Sequence, residues 1–131
     1  MIGLDTNVLV RYLTQDDAIQ SSKATDLIEH ALTESEPGYI SIVAMVETIW
    51  VLERTYECST TDISVAIERM LQAPVLTVES EQEVFTAMIA MKERRASFSH
   101  ALIGALGARA SCFRTVTFDR RAARLDNFQL L

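Results

Sequence analysis

Short apolar blocks alternate with longer stretches of helical periodicity along the whole chain. Met1 to Leu4 is an apolar run that ends at Asp5 and reads as a buried strand. Thr6 to Leu13 can start a helix, with Thr6 or Asn7 near its N-terminus. Asp17 to Leu32 sets Ile19, Leu27, Ile28, Ala31 and Leu32 at roughly helical spacing. A loop through Pro37 and Gly38 leads to a second strand, Tyr39 to Ile42, and a helix from Val43 to Tyr56. Ser59 opens another helix that runs to Gln72, Pro74 stops it, and Val75 to Val78 is a strand. Ser80 and Glu83 have capping-box spacing in front of a helix that reaches Arg94. Phe98 to Ala110 is a helix rich in small residues. Arg114 to Phe118 is a strand, Arg120 to Arg124 a helical turn, and Phe128 to Leu131 a last edge strand. Strands alternating with helices predict an α/β fold: a single domain over 1–131, with a central parallel sheet of about 4–5 strands and helices on both faces.

One stretch breaks the pattern. The segment SIVAMVETIWVL, residues 41 to 52, is nearly all apolar, yet Glu47 sits inside it. Burying an ionised carboxylate without a partner is costly, so an acid in such a helix needs a reason. Two further acids share its setting. Asp5 directly follows the first strand, and Asp119 directly follows the strand TVTF. In parallel α/β sheets, ligands gather beyond the carboxyl ends of the strands. Carboxylates brought together repel and call for a cation, and oxygen-only ligands suit Mg²⁺ or Mn²⁺. Such a metal lowers the pKa of a bound water and offsets charge building on a phosphate. Each acid also has a plainer role open to it. Asp5 and Asp119 could cap the helices that follow them, and Glu47 could snorkel or pair with Arg54.

Composition narrows the class. The chain has 131 residues, 49% of them hydrophobic, which allows a sizeable core, and only 4 Gly and 2 Pro, which disfavours long linkers. Cys58 and Cys112 fit neither a zinc spacing nor a CxxC pattern and are expected to be reduced thiols. No basic segment precedes the acid at position 5, and the longest apolar run, Tyr39 to Leu52, is too short to cross a membrane. These features lead to the expectation of a soluble, cytoplasmic protein with no membrane partner.

The net charge of −6 by itself argues against nucleic acid, but its distribution does not. Residues 1–91 carry 4 basic and 15 acidic side chains, whereas residues 92–131 carry 8 basic and 3 acidic. An arginine-rich face can meet phosphates even on an acidic protein. Arg94, Arg95, Arg109, Arg114, Arg120 and Arg121 are candidates for such contacts, the last two favoured because they follow Asp119. Trp50 and Tyr12 could stack on a base, although core packing is the commoner fate of such residues.

The segments LDTNVLVRYL, SIVAMVETIWVL, HALIGALGARASC and TVTFDRRAARL, in this order and at these separations, resemble the PIN-domain ribonucleases. They are most similar to the VapC-type toxins of bacterial toxin–antitoxin pairs, and the resemblance covers essentially the whole chain. It implies a Mg²⁺- or Mn²⁺-dependent endoribonuclease acting on structured RNA such as transfer RNA. It also implies a cognate VapB-like antitoxin that blocks the site, and a homodimer. By this resemblance Asp5, Glu47 and Asp119 are catalytic metal ligands, while Thr6, Asn7 and Thr117 orient carboxylates or water. The helices Asp17 to Leu32 and Ser59 to Gln72 would offer apolar surface to the antitoxin.

One match fails. Where the family usually reads Asp-Phe-x-Asp-Ala-Leu-Ile, this chain has Ser97-Phe98-Ser99-His100-Ala101-Leu102-Ile103. His100 stands at the position of the main metal-binding acid, and Ser97 at that of its companion. A neutral imidazole could ligate Mn²⁺, the site could bind metal poorly and leave a weak or silent nuclease, or His100 could serve as a general acid or base. The rival to a working enzyme is therefore a PIN-like protein that binds RNA or an antitoxin without cutting.

Overall fold

Small side-chain oxygens decide where the apolar runs stop being strands and become helices. The Asp17 carboxylate accepts the Gln20 N–H, and the hydroxyls of Ser41, Ser59 and Ser97 accept the N–H of Ala44, Asp62 and His100. Each fills the orphan donor three residues on, the usual way a helix start is satisfied. The computed structural model describes residues 1–131, which divide into two compact units, Met1–Glu79 and Ser80–Leu131.

In the first unit, β1 (Ile2–Gly3) leads into α1 (Thr6–Thr14) and α2 (Ala18–Thr25). The latter passes directly into a π-helical segment, Asp26–Ala31. Then follow β2 (Gly38–Ile40), α3 (Ile42–Arg54), α4 (Thr60–Gln72) and β3 (Leu76–Val78). The strands form a parallel sheet in the order β1-β2-β3, with Ile2 opposite Gly38 and Gly38 opposite Leu76. Leu4, Leu9, Ile28, Ile40, Met45, Ile49, Ile63, Ile67 and Met70 are buried in this unit. The second strand is shorter than its apolar run, because the Ser41 cap draws Ile42 into the helix. A polar cluster fixes the ends of α1 and α3. Tyr56 donates to Asp16, and Arg11 reaches the same carboxylate at 2.9 Å. The Tyr56 hydroxyl above all, with Thr14 and Arg11, holds the Asp16 carboxyl at about 2.

The second unit contains α5 (Glu81–Lys92), α6 (Phe98–Arg109), β4 (Thr115–Thr117), a 3₁₀ turn at Ala122–Arg124, and β5 (Phe128–Leu130). Strands β4 and β5 pair in parallel, Thr115 opposite Phe128. Val84, Ala87, Met88, Phe98, Ala101 and Leu102 are buried. All strand pairings are parallel, and the five strands hydrogen-bond as groups of three and two.

The capping box expected at Ser80 does not form. Ser80 adopts the left-handed conformation, φ 53° and ψ 48°, and its side chain caps nothing. Arg109 takes both partners of the box instead: its Nη1 donates to Ser80 Oγ at 3.0 Å and lies 3.3 Å from Glu83 Oε1. A charge-assisted bond to a carboxylate outcompetes a neutral backbone N–H.

The small residues of α6 have a packing role. A Cβ on Gly104 would stand 2.3 Å from Cε2 of the half-buried Phe128. The Gly104→Ala variant is expected to lose about 1–3 kcal/mol of stability through overpacking. A denaturant midpoint equal to wild type would show that the Phe128 ring yields freely.

Candidate functional site

Asp5 leaves β1 in extended conformation, φ −78° and ψ 157°, and its Oδ1 accepts the Thr6 N–H at 2.7 Å. The carboxylate therefore does cap α1, but through the first helical N–H, so that it stays at the carboxyl end of the strand. Thr6 is the link to the next acid. Its hydroxyl donates to Glu47 Oε1 at 3.0 Å, across a sequence separation of 41 residues. Asp5, Thr6 and Glu47 thus form one connected group within the first unit. Asn7 lies exposed beside them on α1.

Glu47 is exposed, contrary to what its apolar neighbours in the sequence suggest. Helix α3 buries Ala44, Met45, Thr48, Ile49 and Leu52. The positions between them, Val43, Glu47, Trp50 and Arg54, recur at helical spacing on the opposite, exposed face. The pairing of Glu47 with Arg54 does not occur, because the Arg54 guanidinium lies over the Trp50 ring, 4.1 Å from its centroid. Trp50 is half exposed and is not a core residue. Tyr12 is partly buried and donates to Glu29 Oε1 at 3.0 Å.

The second unit carries the remaining candidates. Ser97 Oγ caps α6 by accepting the His100 N–H, and the same oxygen lies 3.2 Å from His100 Nδ1. Ser97 thereby engages the Nδ1 edge of the imidazole. Asp119 Oδ1 accepts the Ala122 N–H at 2.7 Å, and the Asp119 N–H donates to Thr117 Oγ1 at 3.0 Å. The Ala122 N–H above all, with the Arg121 backbone N–H and its guanidinium, holds the Asp119 carboxyl below the usual carboxylate range.

Arg94, Arg95, Arg109, Arg114, Arg120 and Arg121 are all exposed. Arg95 pairs with Glu93 at 2.9 Å, and Arg121 donates to the Arg94 carbonyl at 3.3 Å. No group of three or more His, Cys, Asp or Glu side chains is placed to hold a metal ion. Both cysteines are free, and no helix is long and apolar enough to cross a membrane.

A further acid, Glu79, belongs with these residues. Glu79 directly follows β3, whereas Leu4 separates Asp5 from β1, and the Glu79 Oε1 accepts the Ile42 N–H at 2.7 Å. Its signal in the sequence is an acid directly after an apolar run, the one that Asp5 and Asp119 also carry.

No curated protein matches the chain. Residues 2–127, nearly its full length, match the PIN domain, and the protein belongs to the PIN domain family.

Proposed function

We propose that this protein is a Mg²⁺- or Mn²⁺-dependent endoribonuclease that cuts structured RNA, transfer RNA among the candidates, as the toxin of a type II toxin–antitoxin pair. PIN domains are generally metal-dependent nucleases. The observation that carries the reading for this chain is the Asp5–Thr6–Glu47 connection at the carboxyl end of β1. Both Asp5 and Glu47 are exposed. Mg²⁺ needs few protein ligands: one or two carboxylates suffice when water and substrate phosphate complete its shell. The donor set therefore fits the ion. Asp5 and Glu47 would hold it; Asp119 and His100 are proposed as further ligands on the resemblance of their segments to the family alone, since no preformed cluster of three or more ligands includes them.

When bound, the metal supplies a water of lowered pKa and a counter-charge for the phosphodiester. The protein's part is orientation. Thr6 fixes the rotamer of Glu47, and Thr117 fixes the turn that presents Asp119. Ser97 holds the His100 ring. Arg120, Arg121, Arg94 and Arg95 offer exposed cations to RNA phosphates. Ile19 on α2 is 71% exposed and Val65 on α4 is 50% exposed, which supports these helices as apolar surface for a VapB-like antitoxin. A homodimer and a cytoplasmic location complete the proposal.

A second reading rests on His100 and Ser97. With no acid at either position, the protein would bind RNA or antitoxin and cut weakly or not at all. Incubation with transfer RNA in Mn²⁺, in Mg²⁺ and after chelation separates the two. Cleavage that disappears on chelation is the expected result. Intact RNA in both metals, together with no heat on calorimetric titration with Mn²⁺, would establish the silent alternative.

A further inference from the structure

The start of α3 is held twice. Ser41 Oγ accepts the Ala44 N–H at 3.1 Å, the ordinary cap. Glu79 Oε1 reaches from the end of β3 to the Ile42 N–H at 2.7 Å, a bond 37 residues apart in sequence. The Glu79 N–H in turn donates to the Ile40 carbonyl at 2.9 Å, tying the same residue to β2. Glu79 is partly buried, and Tyr39 lies beside it. A carboxylate on the first N–H of a helix is favoured by the local charge of the helix end. A helix that already has a serine cap does not need the second bond in order to form. What the second bond adds is a fixed direction for the first turns of α3, because it joins them to the sheet rather than to their own preceding residue.

Those turns carry Glu47. The contacts run in one sequence along the carboxyl edge of the sheet: Glu79 to Ile42, α3 to Glu47, Glu47 to Thr6, and Thr6 to Asp5. They follow the spatial order of the strands, from β3 past β2 to β1. We propose that Glu79 is a positioning residue, which sets Glu47 against Thr6 and Asp5 by anchoring the first turn of α3 to the end of β3. The proposal rests on the metal-dependent reading for its effect on activity, but not for its effect on geometry. Outer partners of this kind govern metal affinity because a ligand displaced slightly binds far less well.

The test compares wild type with Glu79→Ala, Glu79→Gln and, as a control for simple loss of a helix cap, Ser59→Ala at the start of α4. Two quantities are read: the Mn²⁺ dissociation constant by calorimetry, and the carboxyl ¹³C resonance of Glu47 in the metal-free protein. Glu79→Ala is expected to weaken Mn²⁺ binding about tenfold and to move the Glu47 resonance. Glu79→Gln keeps the acceptor oxygen and should stay within about threefold of wild type, well inside the cost of losing such a partner. Ser59→Ala should lower Tm while leaving both quantities in place. An unmoved Glu47 resonance in Glu79→Ala overturns the proposal, whether or not metal binds. Equal weakening in the Ala and Gln variants also overturns it, since charge alone would then be the cause. A wild type that neither binds Mn²⁺ nor cuts RNA defeats the nuclease reading instead, and the Glu47 resonance still decides the role of Glu79.

Discussion

Asp5→Asn is expected to cut RNA at least about a hundredfold more slowly than wild type, since loss of even an outer partner of a metal ligand typically costs 10–100-fold. The substitution isolates charge from structure. Asn is as good a helix cap as Asp, and its carbonyl oxygen can still accept the Thr6 N–H that Asp5 Oδ1 accepts now. Fold and stability should therefore be retained, with Tm close to wild type. What disappears is one full negative charge from the group that Asp5 forms with Thr6 and Glu47. Single-turnover cleavage of transfer RNA at saturating Mn²⁺ is the measurement. Equal rates for the two proteins would sink the metal mechanism, because an amide cannot replace a carboxylate as an ion's counter-charge.

His100→Asp is expected to act in the opposite direction. It adds a carboxylate at the start of the small-residue helix, at a position proposed above to face the metal, and should raise Mg²⁺-supported cleavage about tenfold or more. The gain should be smaller in Mn²⁺, because imidazole nitrogen suits Mn²⁺ better than the harder Mg²⁺. The helix start is not at risk, since Ser97 caps α6 through the backbone N–H of residue 100 and not through its side chain alone. The informative quantity is thus the ratio of Mg²⁺ to Mn²⁺ rates in the two proteins. An unchanged ratio would mean that residue 100 lies outside the metal's shell.

Much of this was legible in the sequence, for definite reasons. The helix starts at Ser41, Ser59 and Ser97 and the strands around them follow from local capping chemistry and apolar runs, which act over a few residues. The Ser80 box failed because its competitor, Arg109, lies 29 residues away in sequence, and no local rule contains it. The setting of Glu47 failed differently. The mean composition of the segment suggests burial, whereas its period carries the answer. Ala44, Met45, Thr48, Ile49 and Leu52 mark one side of a helix, which leaves position 47 on the other. Asp5 was found because acid after strand is a local signal. Its link to Glu47 through Thr6 was not visible, because it depends on where α3 crosses the end of β1. Glu79 carries the same local signal as Asp5, an acid after an apolar run, but its tie to α3 spans 37 residues and no local pattern contains it.

The exposed face of α3 has one more consequence. The protein has a single tryptophan, and it is Trp50, three residues beyond Glu47, half in solvent with a guanidinium on its ring. Its native fluorescence therefore reports one place only, the surface beside the acid pair. Anything that lands there and displaces Arg54 alters the emission of the unlabelled protein, so that occupancy of this face can be followed optically in real time.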